Sequence, residues 1–283
     1  TKAAEELHMT QPAVTFQVRQ LEEQFNTRLF DRTHNRISLT DAGSRVYDYA
    51  EKIFQLYNEM DNSVRELTGD ISGVLILGAS TTIAEYMLPV LLGDFKAKHP
   101  EVTIRLKVAN TDGIVAQVEN NEIDLGVVEA PVNNKNLIVE ECRTDHLVLI
   151  VPPTHELAKE KSVSIEKIIE YPFICREEGS GTREVMLESM QQTGINPADM
   201  RSAMELGSLE AIKGAVETGM GVSILSKATL IKELKLGTLV AVDTIPPINR
   251  PFSFVHQKQK FKARAMDELL SFARTYCESH KEV

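Results

Sequence analysis

In the stretch MTQPAVTFQVRQLEEQF (Met9–Phe25), the apolar residues Val14, Val18, Leu21 and Phe25 recur at i, i+4, i+7 and i+11. That is the period of a helix whose stripe buries against neighbouring helices. The other face, near the N-terminal end, carries Gln11, Pro12, Thr15, Phe16 and Arg19. Thr10 is placed to cap this helix, and Pro12 fits the first turn, where its missing N–H costs nothing. Upstream, TKAAEELHMT predicts a short helix with Ala3, Ala4 and Leu7 turned inward and a turn at His8–Thr10. Helix, tight turn and helix with a polar tip is a helix-turn-helix pattern. Downstream, Leu29-Phe30 and Ile37–Leu39 predict two short strands around the polar tip Thr33-His34-Asn35, a wing beside the second helix.

Thr40 is placed to cap a long helix from Asp41 to about Leu67. Val46, Ile53, Met60 and Leu67 repeat every seven residues, and Ala50, Tyr57 and Val64 share the repeat. A sustained heptad predicts a helix that pairs with another helix. Gly69 and Gly73 bracket a linker. From Val74 the pattern alternates between apolar runs and amphipathic segments. GVLILGAS, VTIRLKVAN, DLGVVEA and HLVLIVPP read as strands, and EYMLPVLLGDFKAKHP and GIVAQVENNEI as helices. The pattern restarts after Pro152-Pro153, through SIEKIIEYPFIC, a helix from Thr182 to Thr193, SAMELGS, a helix over Leu209–Thr218, GVSILSK and LVAV. PFSFVHQ is a late strand, and a last helix runs from Ala263 to about Ser279. Such alternation predicts α/β domains with parallel sheets, here two subdomains with a cleft between them.

Composition adds constraints. The chain has 283 residues and a net charge of −10. Residues 1–69 hold 8 Lys+Arg against 11 Asp+Glu, net −3, which leaves −7 for residues 70–283. Nucleic-acid binding driven by bulk positive charge is excluded, so any DNA contact rests on local positive spots and hydrogen bonds. No apolar run approaches the ~20 residues of a membrane span, and no secretory signal is visible. Cys142, Cys175 and Cys277 lie far apart without metal-like spacing and read as buried or neutral free thiols in a reducing cytoplasm. The seven histidines are scattered without ligand spacing, so neither a metal site nor another cofactor is expected.

The segment AAEELHMTQPAVTFQVRQLEEQFNTRLFDRTHNRISLTDAG, followed by LPVLLGDFKAKHPEV, EIDLGVV and GSLEAIKGAVETGMGVSIL, resembles the LysR-type transcriptional regulators over essentially the whole chain. The resemblance implies a mixed fold of three parts. These are a winged helix-turn-helix DNA-binding domain (1–40), a linker and dimerisation helix (41–73) and an effector-binding domain (74–283). The last consists of two Rossmann-like α/β subdomains of periplasmic-binding-protein type, one over 74–151 plus 255–283 and the other over 152–254. It also implies that the family's first helix precedes Thr1, and that the protein is a homotetramer built from dimers. In such a protein the tip of the Gln11–Phe25 helix enters the major groove of promoter DNA. Gln11 is then suited to an adenine edge, Thr15 to a base or phosphate, and Arg19 to phosphate. Thr10 and Pro12 belong to the same tip, and the helix N-terminus itself favours phosphate. Arg32 and Arg36 flank the wing and suit phosphate or a narrow minor groove. Phe16 departs from the basic or polar residue of many relatives, and either meets a thymine methyl or packs inward.

Two Gly/Ser/Thr segments have the makings of anion cradles: Ser80, Thr81 and Thr82 between a strand and a helix, and Gly179, Ser180, Gly181 and Thr182 at a helix start. The resemblance places a small anionic effector between the subdomains on such loops, with Asn110, Thr111, Glu129, Ala130 and Ser208 lining the same cleft. A Glu129 facing inward would repel an anion, or select one with its own proton or amine. Catalysis is not expected. GSGTR lacks a nucleophile elbow and a placed base, and GMGVS lacks a dinucleotide fingerprint. The expected function is a cytoplasmic, ligand-responsive transcription regulator, an activator with RNA polymerase as a further partner. The alternative, a transporter's solute-binding protein, shares the effector fold but does not account for the helix-turn-helix block.

Overall fold

A computed structural model of the chain describes residues 2–33, 36–66, 71–258 and 264–279. The chain divides into two compact units, Thr1–Asp61 and Asn62–Val283.

The first unit opens with α1 (Lys2–Glu6) and α2 (Gln11–Gln24), followed by β1 (Phe30–Thr33), β2 (Arg36–Leu39) and α3 (Asp41–Glu66). His8, at φ 51°, turns the chain between α1 and α2, and the Met9 amide donates to the Ala4 carbonyl at 2.8 Å. Pro12 sits in the first turn of α2. Thr10 has the extended backbone of a cap, but its side chain makes no capping hydrogen bond, contrary to the sequence expectation. The expected inner face of α1 is reduced to Ala4, because Ala3 is exposed and Leu7 is 61% exposed. Likewise α2 buries no side chain, and Leu21 and Phe25 are largely exposed. An apolar stripe is buried only against comparable apolar area. Among the described residues of this unit, Ala4 and Leu29 are the only buried hydrophobic side chains.

Hydrogen bonds tie the wing root together. β1 and β2 pair antiparallel from Phe30↔Leu39 to Thr33↔Arg36. The Glu22 carboxylate of α2 accepts from the Leu29 and Phe30 amides at 2.8 and 3.3 Å. Thr40 Oγ1 donates to the Arg28 carbonyl at 2.7 Å and accepts from the Gly43 amide at 3.0 Å, which is the expected cap of α3. Gly43 is buried there, and a Cβ on it would sit 1.9 Å from the Leu29 carbonyl oxygen. Along α3 the heptad residues Ile53, Tyr57, Met60 and Val64 are all exposed. The expected tip residues His34 and Asn35, the heptad residue Leu67, the linker Gly69 and the helix start Ala263 lie outside the described residues.

The second unit runs β3 (Gly73–Ser80), α4 (Thr81–Tyr86), α5 (Leu88–Lys98), β4 (Val102–Ala109), α6 (Thr111–Glu119), β5 (Leu125–Val128) and β6 (Leu137–Val151). It continues through β7 (Ser162–Ser164), α7 (Ile165–Ile168), β8 (Phe173–Arg176), α8 (Gly181–Gln192), β9 (Ser202–Leu206), α9 (Leu209–Glu217) and β10 (Ser223–Ser226). It closes with α10 (Ile231–Leu236), β11 (Val240–Ile245), β12 (Ile248–Gln257) and α11 (Arg264–Ser279). The segment read as one helix, EYMLPVLLGDFKAKHP, lies on two, broken at Met87 before Pro89.

Strand order in the main sheet is β4-β3-β5-β12-β6-β11-β7, with β10 also paired to β6. The sheet is mixed and not parallel as expected: β3 is parallel to β4 and β5, whereas β12 is antiparallel to β5 and β6, and β10 and β11 are antiparallel to β6. A crossing strand that returns between two bodies reverses direction, and hydrophobic pattern alone does not encode that sense. The long strands β6 and β12 pair over Leu137–Leu147 and Ile248–Gln257. One core packs α4, α5 and α11 on β3 and β12. Two further cores gather the apolar faces of β6, β8, β10, α8 and α9.

The reading of three unpaired thiols is corrected. Cys142 of β6 and Cys277 of α11 form a disulfide with Cα atoms 5.8 Å apart, and Cys175 alone is free and buried. The two partners are 135 residues apart, and only the docking of α11 on β6 joins them. Arg274 of α11 donates to Glu140 of β6 at 2.5 Å across the same contact.

The wing root yields a prediction. Gly43→Ala drives a methyl into the Leu29 carbonyl, and overpacking against backbone costs about 2 kcal/mol or more. Thermal unfolding followed by circular dichroism will show the transition of the Thr1–Asp61 unit lowered, with that of Asn62–Val283 unchanged.

Candidate functional site

In the first unit, Gln11, Pro12, Phe16 and Arg19 at the start of α2 are exposed and Thr15 is half-buried. Gln11 Nε2 donates to Thr15 Oγ1 at 3.2 Å, and Thr15 Oγ1 donates to the Gln11 carbonyl at 3.0 Å. This pair sets the two side chains together on one polar surface. Phe16 is 58% exposed, so of the two readings left open, inward packing is excluded. Arg32 and Arg36 belong to β1 and β2, but their side chains lie outside the described residues.

In the second unit, Arg250 organises a buried polar cluster. It lies on β12 with no side-chain exposure. Its Nε donates to Asp145 of β6 at 2.9 Å, its Nη1 donates to Thr182 Oγ1 at 2.7 Å, and the same nitrogen lies 3.3 Å from Glu129 Oε1. Asp145 also accepts from Ser226 Oγ at 2.7 Å, and Glu129 accepts from Ser80 Oγ. Ser80, Glu129, Thr182 and Arg250, drawn from four separate stretches of chain, thus form one network. Two carboxylates thus face one guanidinium.

Arg250 Nη2 of this network is buried without a hydrogen-bond partner, as are Ser180 Oγ and Thr82 Oγ1, close in sequence to the network residues Thr182 and Ser80, and Thr111 Oγ1. Buried polar groups are normally paired, so orphans gathered from α4, α6, α8 and β12 mark where a polar ligand would complete them. The loops that carry them meet directly. Asn110 caps α6, accepting from the Gly113 amide at 2.9 Å, and its Nδ2 donates to the Glu178 carbonyl at 3.0 Å. The Asp112 amide donates to the Gly179 carbonyl at 3.3 Å. A Cβ at Gly181 would stand 2.8 Å from Thr111 Oγ1 and 3.1 Å from the Glu129 carbonyl and Ala130 Cβ. Gly179, at φ 78°, needs glycine for its left-handed backbone. Ser180 and Thr182 open α8, and Ser180 makes no capping bond of its own.

The structure therefore brings together Ser80, Thr82, Asn110, Thr111, Glu129, Ala130, Gly179, Ser180, Gly181 and Thr182. Thr81 is adjacent and half-buried. Ser208 stands apart: it is exposed and caps α9, accepting from the Ala211 amide at 3.4 Å. Sequence reading missed Arg250, Asp145 and Ser226. A signal was present in INRPFSF, where Ile248, Arg250, Phe252 and Phe254 share one alternating face of a strand. A charged residue in that register belongs to a buried site.

A second polar link ties α4 to α9. Lys213 of α9, itself buried, donates to Tyr86 OH at 3.0 Å and to Glu233 at 2.7 Å, and pairs with Glu210 at 2.5 Å. Burial works to depress its ammonium, but the Glu210 and Glu233 carboxylates and Tyr86 outweigh it and hold the pKa above the usual lysine value.

These geometries define a helix-turn-helix unit followed by a larger α/β unit, and the family models agree. Residues 1–44 match the bacterial regulatory helix-turn-helix of the lysR family, and residues 68–278 match the LysR substrate binding domain. The chain belongs to the LysR-type transcriptional regulators. It is 35% identical to the RuBisCO operon transcriptional regulator of Allochromatium vinosum, over 98% of this chain and 92% of that protein. It is also 35% identical to a probable RuBisCO transcriptional regulator of Cyanidium caldarium, over 94% and 85%. Among solved structures, the Synechocystis PCC6803 CcmR regulatory domain in complex with 2-PG matches with TM-score 0.67 and 32% identity. It covers 72% of this chain and 97% of that one. CbnR, a LysR family regulator, matches with TM-score 0.73 and 21% identity over 97% and 92%, a likeness of fold alone. No described helix is long and apolar enough to cross a membrane.

The cluster yields a prediction. Arg250→Ala strands two buried carboxylates, and loss of one partner of a buried ion pair costs about 3–5 kcal/mol. Urea unfolding of the full chain will show that loss. A cost below about 1 kcal/mol would mean that the cluster is hydrated and not buried.

Proposed function

We propose that this chain is a transcription regulator that reads operator DNA through the tip of α2 and senses a small phosphate- or carboxylate-bearing metabolite at the Arg250 cluster. The observation that carries the sensing half is the set of four buried orphan groups, Arg250 Nη2 among them. Arg250 Nη2, the Ser180, Thr82 and Thr111 hydroxyls and the amides opening α8 together offer donors to one anion. The second carboxylate disfavours an anion held by net charge alone. It favours a ligand that also donates one hydrogen toward Glu129, as a phosphate ester does in its monoanionic form, with a second pKa of about 6. The 2-PG (2-phosphoglycolate) held by the Synechocystis relative has this chemistry, and the RuBisCO regulators among the relatives make genes of carbon fixation the expected targets.

On the DNA side, the Gln11 amide oxygen and the exposed Phe16 present an acceptor and an apolar contact to base edges in the major groove. Arg19, Arg32 and Arg36 supply phosphate contacts. Exposed heptad residues on α3 and the exposed apolar pair Leu106 and Val108 on the edge strand β4 support assembly into dimers and a tetramer in the cytoplasm. The ligand acts by preferring one arrangement of the two bodies over another, which shifts how the DNA-reading units are presented to the promoter and its polymerase.

Isothermal titration of 2-phosphoglycolate into the full chain, with band shifts on upstream DNA, tests the reading. Binding with micromolar affinity is expected. Gly181→Val, which fills the space beside Thr111, should abolish it while the chain stays folded. Gln11→Ala should weaken the specific band shift at least tenfold without touching ligand affinity. Titration heats unchanged by Gly181→Val would move the ligand elsewhere, and no band shift at all would remove the DNA reading.

A further inference from the structure

β6 carries a bulge close to the Arg250 cluster. Its register with β12 passes from Phe252↔Arg143 directly to Ser253↔Glu141, so Cys142 is an extra residue that opposes none on β12. A bulge disrupts the ladder locally and re-aims a side chain. Ser253 Oγ, at the same place, is buried without a hydrogen-bond partner. The re-aimed side chain is that of Cys142, and its disulfide ties β6 to Cys277 in the last turn of α11. Three residues further along β6 stands Asp145, which accepts from Arg250 Nε at 2.9 Å. The tether thus acts on the stretch of strand that delivers a partner to the cluster.

The two cysteines differ in access: Cys277 is 2% exposed, whereas Cys142 is half-buried. Nor does α11 depend on the bond alone. Ala265, Met266, Leu269, Leu270 and Ala273 bury its apolar face, and Arg274 Nε donates to Glu140 of β6 at 3.1 Å. Free thiols suit that face, because an unpaired cysteine packs as a small hydrophobe. A chain that binds genomic DNA works among thiol pools that keep cysteines reduced. Disulfides are rare there, and those that form are mostly transient and redox-sensing.

We propose that Cys142–Cys277 is a reversible thiol–disulfide site, through which small thiols set how firmly β6 presents Asp145 to Arg250. A thiolate attacks Sγ of Cys142, the S–S bond breaks, and Cys277 leaves as a thiolate and takes up a proton. A second thiolate attacks the outer sulfur of the mixed disulfide, and Cys142 leaves and is protonated in turn. Two electrons pass to the protein, the protons lost by the two small thiols end on the two cysteines, and those thiols depart as their own disulfide. Oxidation by that disulfide retraces the path. The oxidised form holds residues 142–145 in place, and the reduced form lets them relax. The consequence for ligand affinity rests on the proposed sensing role of the Arg250 cluster, whereas the redox chemistry does not.

The test equilibrates the full chain, without denaturant, in glutathione buffers of graded reduced-to-oxidised ratio. Thiols are counted by alkylation in denaturant after an acid quench. The chain should pass from one free thiol, that of Cys175, to three, with half conversion while both forms of glutathione are present, and should reoxidise on return. Circular dichroism should show the reduced chain folded, with the transition of the second unit lowered by about 5 °C or more. Hydrogen–deuterium exchange should quicken on reduction over residues 141–145 and the last turn of α11. Cys142→Ser and Cys277→Ser should show that faster exchange in both buffers, and Cys175→Ala should keep the two-thiol change. The oxidised chain should bind 2-phosphoglycolate at least threefold more tightly than the reduced chain. A disulfide that glutathione reduces only once the chain is unfolded, three thiols in the most oxidising buffer, or loss of the fold on reduction would overturn the proposal. So would exchange over residues 141–145 and ligand affinity both unchanged by reduction. Should neither form bind 2-phosphoglycolate, the sensing role fails, and the thiol titration and the exchange still decide this site.

Discussion

A guanidinium without exposed surface has to be paired, or the strand carrying it does not stay in the interior. Arg250 is such a group, and much of the second unit is arranged around its needs. Asp145 comes from the neighbouring strand, Glu129 from the end of β5, and Thr182 from the first turn of α8. Meeting them fixes three loops that the chain delivers from distant positions. The two Gly/Ser/Thr loops thereby face one another, and Ser80 reaches Glu129 across the same network. Pairing accounts for most of the guanidinium, yet Nη2 and the Thr82, Thr111 and Ser180 hydroxyls are left unmatched. The network therefore holds the fold, and the unmatched donors are those that the proposed ligand would complete.

The first unit uses a smaller version of the same economy. Glu22 and Thr40 answer backbone groups around Leu29 and at the start of α3, and the hydrogen-bonded wing root results. Side chains at the tip of α2 satisfy one another instead, with Gln11 and Thr15 paired on the surface. A tip organised before it meets DNA spends less side-chain entropy on recognition. The net negative charge of the chain makes this matter, because bulk attraction to phosphate is not available to compensate for loose contacts.

Local chemistry was the legible part of the sequence. The turn at His8–Thr10, the Thr40 cap, the wing strands and most α/β elements follow from periodicity and capping residues, and the structure places them within a few residues. The Gly179–Thr182 and Ser80–Thr82 loops announced themselves through glycine and hydroxyl content. What escaped depended on partners far away in the chain. Nothing near Cys142 says that Cys277 will reach it, since α11 must first dock on β6. The direction of β12, and so the mixed sense of the sheet, is set by a crossing between two bodies. Burial of the α2 stripe failed because a periodic face states only a capacity to be covered. Arg250 was overlooked because charge suggests the surface, although its register with Ile248 and Phe252 pointed inward. Ser208 was drawn into the cleft by its position after a strand, whereas its hydroxyl serves the start of α9.

The central claim is that an anion enters at the Arg250 cluster and binds the facing loops together. Hydrogen–deuterium exchange of the full chain, with and without saturating 2-phosphoglycolate, tests this most directly. The account predicts slowed exchange at the amides of Gly181–Glu184 and Thr111–Gly113, with little change at the tip of α2. Bound ligand with exchange at both loops unchanged would contradict it.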